Sequence, residues 1–137
     1  MRNLVSSRVP LADFWFIVSL AQGIEYLLRP RDSSVVLNAI ENALPLWVWG
    51  VWLAVPSLIG LISNRGEWWR ISVTAHIICA GAYAGLAYGL IAGVIQARQA
   101  WGWQSVPAYV LLLTLHGLWA LVDVLRQRPY PWRITRE

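Results

Sequence analysis

Apolar and polar residues follow each other along this chain in long blocks. Four mostly apolar blocks lie at about 11–28, 43–62, 71–95 and 107–125, and all eleven basic residues lie in the short segments between and beside them. Each block has the roughly 17–25 residues that an α-helix needs to cross about 30 Å of hydrocarbon. The pattern therefore predicts an all-α fold, a four-helix bundle of transmembrane helices that forms a single domain over residues 1–137.

The segment after the first block predicts a short helix of its own. Arg29-Pro30-Arg31 stops the first span, and Asp32 or Ser33 can cap a second helix that runs through about Asn42. Its valine, leucine, alanine and isoleucine side chains would lie against the membrane surface or the bundle. We therefore expect a short interfacial helix in the first loop.

Arginine is distributed unevenly between the two predicted sides of the membrane. Of the eleven basic residues, eight lie at the N-terminus, in the second connection and in the C-terminal tail, and three lie in the first and third connections. Because basic residues in short loops favour the cytoplasm, both termini are predicted to be cytoplasmic. Arginine without lysine is typical of a GC-rich genome, so we expect a bacterial or phage-encoded inner-membrane protein. The net charge of +4 is dispersed, which argues against a nucleic-acid partner.

Tryptophan and tyrosine occur at both ends of the predicted spans, as expected for side chains that prefer the headgroup level. The residues at the outer ends are Tyr26, Trp47, Trp49, Trp101, Trp103 and Tyr109. The residues at the inner ends are Trp15, Trp68, Trp69, Tyr130 and Trp132. Two aromatic belts that anchor the bundle are therefore predicted, and stacking on a ligand is the alternative for the outer residues.

Glycine recurs at every fourth position in the third block. The residues of this glycine stripe are Gly81, Gly85, Gly89 and Gly93. Small residues at this spacing share one helix face and let another helix approach closely, as in a glycine zipper. One interpretation is packing within the chain's own bundle. The other is self-association into an oligomer, or docking on partner membrane helices.

Ionisable residues also lie within the predicted spans, where a charge costs about 2.5–3.5 kcal/mol at the bilayer centre. They are Asp13, Glu25, His76, His116 and Asp123. By predicted depth, Asp13, His76 and Asp123 each lie about 10 Å from the midplane on the cytoplasmic side, which allows one intramembrane polar group. The alternative is that the two aspartates snorkel to the interface. Glu25 is expected to pair with Arg29 at the rim.

The two histidines raise the question of a b-type haem. The predicted depths of His76 and His116 differ by about 10 Å, whereas the axial ligands of one iron lie near the same level, so we expect no haem or other cofactor. His76 and Cys79 supply only two of the ligands that a structural zinc site needs, so no metal is expected. The chain also lacks a phosphate-binding loop, a zinc-protease motif and a nucleophile triad. We therefore expect no enzyme, and no small-molecule substrate is indicated.

These observations favour a small polytopic protein of the lipid bilayer that acts through helix–helix interaction. It would be an accessory subunit or modulator of a larger membrane assembly, or a homo-oligomer. One alternative is a holin-like pore former of the kind that phages encode, suggested by the small size, the few spans and the arginine-rich tail. A second alternative is a small proton or ion carrier that uses Asp13, His76 and Asp123. Most transporters, however, have more spans and inverted repeats.

Overall fold

The computed structural model describes residues 9–30, 40–41, 44–66, 68–97 and 103–127. In these ranges the chain forms four α-helices, which we number α1 (Val9–Leu28), α2 (Leu46–Arg65), α3 (Trp69–Ala97) and α4 (Val106–Gln127). All four helices are long and apolar enough to cross a membrane. The predicted all-α four-helix bundle is confirmed, and the chain is an integral membrane protein.

Some predictions fall on parts of the chain that the structure does not describe. The predicted interfacial helix lies outside the described residues, except for Ile40 and Glu41, which are helical. The belt residues outside the described ranges are Trp101, Tyr130 and Trp132. Their positions stay predictions.

The start of α2 is set by a proline. Pro45 has φ −53° and ψ 143°, an extended conformation, and its carbonyl oxygen accepts a hydrogen bond from the Val48 amide at 2.9 Å. Because a residue that precedes proline is disfavoured in the helical conformation, α2 begins at Leu46, later than the predicted span. At its other end, the amide of Gly66 donates to the carbonyl of Ile62 at 3.1 Å and closes the last turn.

Helices that follow each other in the chain are antiparallel. α2 packs along α1 and against α3, and α4 packs along α3, whereas α1 and α4 meet over a shorter stretch. Asp13 near the start of α1 lies beside Asn64 near the end of α2, and Ser72 near the start of α3 lies beside Asp123 near the end of α4. We name this end of the bundle the Asp13 end, and the opposite end the Tyr109 end.

The helices α1 and α2 approach closely at a pair of glycines. A Cβ atom on Gly23 would lie 2.6 Å from the backbone nitrogen of Ala54 and 2.8 Å from the carbonyl oxygen of Gly50. A Cβ atom on Gly50 would in turn lie 2.8 Å from the carbonyl oxygen of Gly23. Because lipid tails are as apolar as leucine, membrane helices associate through such close packing and through polar contacts. The pair therefore sets how closely α1 and α2 pack.

The buried apolar side chains form two clusters. The cluster towards the Tyr109 end includes Tyr26, Leu53, Tyr83, Leu86 and Tyr109. The cluster towards the Asp13 end contains Phe16, Ala75 and Cys79. The polar side chains of the interior lie among these two clusters.

Candidate functional site

The interior of the bundle contains polar side chains that cannot form hydrogen bonds with lipid or with bulk water. The buried polar residues are Ser19, Ser57, Ser63, Ser72, His76 and His116. An unpaired polar group in an apolar interior costs free energy, so such groups are expected to pair with each other. Ser57 pairs with Cys79, and Ser63 donates to the carbonyl of Gly60. The other four belong to two connected groups, one that extends from the histidines to the Tyr109 end and one at the Asp13 end.

His76 of α3 and His116 of α4 form a direct pair. Their Nδ1 atoms lie 2.8 Å apart, and both side chains are fully buried. The ring of Phe16 stacks on His76 with 4.1 Å between centroids, and the ring of Tyr83 stacks on His116 at 5.8 Å. The rings of Phe16 and Tyr83 thus pack against the histidine pair. The Nδ1 atoms of the two histidines are at hydrogen-bonding distance and are not spaced as the axial ligands of one iron.

The prediction that a difference in depth keeps the two histidines apart is therefore wrong. Counting residues along a span gives the approximate height of a Cα atom, at 1.5 Å per residue. It does not give the direction of the side chain. The imidazoles of His76 and His116 meet across the interface between α3 and α4.

Hydrogen bonds continue from this pair into α1. The Nε2 atom of His116 lies 2.9 Å from the Oγ of Ser19. The hydroxyl of Tyr83 is within donating distance of two acceptors, Ser19 Oγ at 2.9 Å and Gln22 Oε1 at 3.1 Å. Ser19 and Gln22 occupy the same face of α1, since they are three residues apart.

The connection reaches the Tyr109 end through two tyrosines. The side-chain amide of Gln22 donates to the Tyr26 hydroxyl at 2.9 Å, and this hydroxyl lies 2.5 Å from the hydroxyl of Tyr109. We name the whole chain of hydrogen bonds the polar series. Its members, in order, are His76, His116, Ser19, Tyr83, Gln22, Tyr26 and Tyr109.

Two tautomeric arrangements of the histidine pair satisfy these hydrogen bonds, because each ring nitrogen can donate or accept. In the first arrangement, Ser19 donates its hydrogen to the unprotonated Nε2 of His116, and His116 donates from Nδ1 to the Nδ1 of His76. The hydrogen of His76 is then on Nε2, a buried atom without a hydrogen-bond partner in the described part of the chain. In the second arrangement, these donors and acceptors are exchanged and His76 Nε2 is unprotonated.

A second set of polar side chains, one from each helix, lies at the Asp13 end. The amide of Asn64 donates to Asp13 Oδ1 at 3.0 Å, and the hydroxyl of Ser72 donates to Asn64 Oδ1 at 2.7 Å. The same hydroxyl lies 3.4 Å from Asp123 Oδ2. We name these four residues, Asp13, Asn64, Ser72 and Asp123, the Asp13 group.

The structure thus connects two of the three residues in the predicted intramembrane polar group. Asp13 and Asp123 are linked through the side chains of α2 and α3. His76 lies one turn further along α3 than Ser72 and forms its hydrogen bond with His116.

Glu25 lies outside both sets, on the bundle surface at the Tyr109 end. Its carboxylate pairs with Arg29 at 3.2 Å. Exposed pairs of this kind contribute about 0–1 kcal/mol, so this one has little effect on stability. A cleft of about 360 Å³ opens beside it and is lined by Tyr26, Arg29 and Glu41, among others. Because Tyr26 lines the cleft, the cleft lies next to the tyrosines at the end of the polar series.

The glycines of the stripe do not share one environment. Gly81 is exposed, and no atom lies within 4 Å of the place of a Cβ. A Cβ on Gly85 would lie 2.7 Å from the indole ring of Trp49. Gly89 and Gly93 are half-buried. The stripe therefore faces the surrounding lipid at one position and a side chain at the next, and close contact between helix backbones occurs between α1 and α2 instead.

Three residues assigned to the outer aromatic belt lie inside the bundle. Tyr26, Trp49 and Tyr109 are buried, whereas Trp47 and Trp103 at the same end are exposed. The belt prediction is wrong for the buried three because distance along a span indicates depth and not the face of the helix. Two of them, the tyrosines, instead complete the polar series.

Sequence reasoning missed most of the polar series, although α1 contains a signal for it. Ser19, Gln22 and Tyr26 follow each other at intervals of three and four residues, the spacing of one helix face. Polar residues repeated on one face of a span indicate that this face contacts other polar groups, because lipid offers no hydrogen bonds. No comparable signal identifies their partners on α3 and α4.

The fold and the two polar sets define a class of protein, an integral membrane four-helix bundle with a hydrogen-bonded series of side chains in its interior. Neither a protein-family model, nor a curated protein, nor a solved structure matches the chain. Over the described ranges, no three His, Cys, Asp or Glu side chains come together in a way that could hold a metal ion. The geometry of the polar series is therefore the basis for a functional proposal.

Proposed function

We propose that this protein is a small proton carrier, which moves protons across its membrane along the polar series. The observation that supports the proposal is the continuous row of polar side chains at hydrogen-bonding distance between His76 and Tyr109. Hydroxyls and imidazoles can pass protons because each can accept one hydrogen and donate another. Polar and ionisable side chains that face the interior of a membrane bundle are typical of proton relays.

The half of the series nearest the histidines consists only of such groups. In the first of the two tautomeric arrangements, Tyr83 donates to Ser19 and Ser19 donates to His116 Nε2. His116 Nδ1 then donates to His76 Nδ1. A proton that arrives at the Tyr83 oxygen can therefore displace the hydrogen on His76 Nε2, and each O–H or N–H bond that breaks is replaced. The net result is transfer of one proton towards the Asp13 end.

Tyr83 connects the two halves of the series. It has one hydroxyl hydrogen and two acceptors, Ser19 at 2.9 Å and Gln22 at 3.1 Å. Because one hydrogen forms a full bond to one acceptor at a time, Tyr83 donates either towards the histidines or towards the Tyr109 end. Alternation between two connections is the behaviour expected of a carrier, and it differs from that of a water-filled pore.

Each end of the series lies near groups that can exchange protons with water. At the Tyr109 end, Tyr26 lines the cleft at the rim together with Glu41. At the other end, the half-buried carboxylates of Asp13 and Asp123 lie beyond His76. The proposal therefore includes a proton-exchanging group on either side of the buried hydroxyls and imidazoles.

The first prediction tests the connection at Tyr83. In vesicles with an internal pH-sensitive dye and an imposed potential, Tyr83→Phe should reduce proton flux by about 100-fold, the scale of a positioned proton donor. The substitution removes the oxygen that joins the two halves and keeps the ring. The matched control is Tyr88→Phe on the same helix, where the side chain is 75% exposed and the flux should equal that of the wild type. Wild-type flux in Tyr83→Phe would refute the proposal.

Helix–helix interaction, as an accessory subunit or homo-oligomer, stays the competing prediction. In that case the polar series would stabilise the bundle and would not transfer protons. Wild-type vesicles would then show no proton flux, and Tyr83→Phe would lower only the melting temperature. A holin-like pore would instead pass potassium as readily as protons, so the same vesicles separate all three hypotheses.

A further inference from the structure

A thin apolar layer separates the polar series from the Asp13 group. It contains one buried residue from each helix: Phe16, Gly60, Ala75 and Ala120. Each of these residues is three or four positions from a member of the Asp13 group on the same helix. Such a spacing corresponds to about one turn, so the four residues lie at about the same level of the bundle. We name this set the Phe16 layer.

Phe16 is the one large side chain among these four residues. It is fully buried, its ring is tilted by 23° to that of His76, and it packs against Ala75 and Cys79. The ring lies so close to Gly60 that a Cβ atom on this glycine would overlap with it. The small residues on the other three helices therefore provide the space that the phenyl ring fills.

The polar series and the Asp13 group stop on either side of this layer. His76 Nε2 has no hydrogen-bond partner in the described ranges, and Ser72 belongs to the Asp13 group one turn away on the same helix. The backbones of these two residues are about 5.4 Å apart along the helix axis, a separation that a bridging water molecule can span. The Phe16 ring is stacked on His76 and therefore covers one face of the imidazole.

We propose that Phe16 controls proton exchange between the polar series and the Asp13 group, an inference that rests on the proposed proton-carrying function. While the ring is stacked on His76, water is excluded and the series is closed at this end. When the ring moves, water enters and bridges His76 and Ser72. In the first tautomeric arrangement, the His76 Nε2–H bond then breaks as its proton passes to the water oxygen. The water gives one of its own protons to the Ser72 oxygen, and the Ser72 hydroxyl hydrogen passes to the Asp123 carboxylate. Phe16 itself carries no proton.

A water-filled opening is expected here because the space is not lined by apolar groups alone. A purely apolar cavity stays dry, but water at this place would find a hydrogen-bond partner in His76 Nε2. Removal of the phenyl ring should therefore admit water to the layer. The chain contains a reporter for this event, since its single cysteine, Cys79, is fully buried and packs against Phe16.

The second prediction compares the two phenylalanines of α1. Phe16→Ala should raise both proton flux and the labelling rate of Cys79 by a water-soluble methanethiosulfonate by about tenfold, because labelling tracks the population of the open state. Phe14→Ala removes the same ring from a side chain that is 50% exposed, so both rates should stay at wild-type values. Both are measured in the full-length protein in vesicles.

The outcomes separate this inference from the proposed function. If Phe16→Ala leaves flux and labelling unchanged while Tyr83→Phe still abolishes flux, Phe16 does not control exchange and the proton-carrying proposal stands. Wild-type flux in Tyr83→Phe refutes both. If Phe16→Ala does not fold, as judged by gel filtration, Phe16→Leu replaces it; a smaller rise in both rates supports the inference, and unchanged rates overturn it.

Discussion

At the scale of single residues, each polar side chain of the interior lowers the free-energy cost of burying the next. Hydrogen bonds between membrane helices contribute about 0.6 kcal/mol on average and at most about 1.7 kcal/mol. An unsatisfied buried group costs more, about 1–3 kcal/mol. Loss of the hydrogen bond between Tyr26 and Tyr109 would therefore cost more free energy, by leaving one hydroxyl unpaired, than the bond itself contributes. The same holds for Ser19 and His116.

Gln22 is the member of the series least suited to passing a proton. Its amide accepts from Tyr83 and donates to Tyr26, but an amide does not readily gain or lose hydrogen as a hydroxyl or carboxyl does. As a third prediction, Gln22→Glu should raise proton flux about tenfold or more, since a carboxyl group can relay protons by acid–base transfer. Gln22→Met, of similar length and without hydrogen bonds, should lower it.

The measurement is the same dye assay in vesicles of matched protein content. If neither substitution changes the flux, protons do not pass Gln22. The pair of Tyr26 and Tyr109 would then serve only to hold α1 against α4, and the carrier hypothesis would be left with the Tyr83-to-His76 half of the series alone.

At the scale of elements, α1 and α2 are held by contact between backbones. Half of the buried residues of α2 are small, and they are Gly50, Ser57, Gly60 and Ser63. Opposite them, α1 presents Gly23 and the ring of Phe16. This pairing allows α1, the least apolar span, to pack deeply enough for Ser19 and Gln22 to reach side chains of α3 and α4.

A fourth prediction concerns the glycine contact. Gly23→Ala should destabilise the protein by about 1–3 kcal/mol, because the added Cβ meets the backbone of α2 and cannot be accommodated by moving a side chain. Gly81→Ala should be neutral or stabilising by up to about 1 kcal/mol, since it meets open space and favours the helix. Unfolding in detergent measures both. Equal losses of stability would show that the contact between α1 and α2 is not a close one.

At the scale of the whole molecule, four antiparallel helices bring the start of α1 and the end of α4 to the same end of the bundle. As a fifth prediction, reporters placed after Gly66 and after Glu137 should score as cytoplasmic. One placed after Gln104 should score on the opposite side, because arginine is concentrated in the N-terminal segment, in the connection between α2 and α3, and in the C-terminal tail. An external score at Gly66 would reverse the direction of proton transfer relative to the cell and leave the geometry of the series unchanged.

The sequence by itself determined the number of membrane-spanning helices, their approximate bounds and the membrane as their solvent. A helix that crosses lipid must satisfy its own backbone and remain apolar for about twenty residues, and both properties are local to the segment. The pair of Glu25 and Arg29 was predictable for the same reason, since its partners are one turn apart on one helix. Even the late start of α2 follows from a local cause, the proline before Leu46.

Only the tertiary structure decided which faces of these helices meet. It pairs His76 with His116, connects Asp13 to Asp123 through side chains of α2 and α3, and turns Tyr26 inward. In a soluble protein the apolar stripe of a helix would indicate its buried face, but in lipid both faces of a span are apolar. The rotation of each helix is instead decided by where small residues allow close approach and where polar groups find partners. Both conditions depend on all four helices at once.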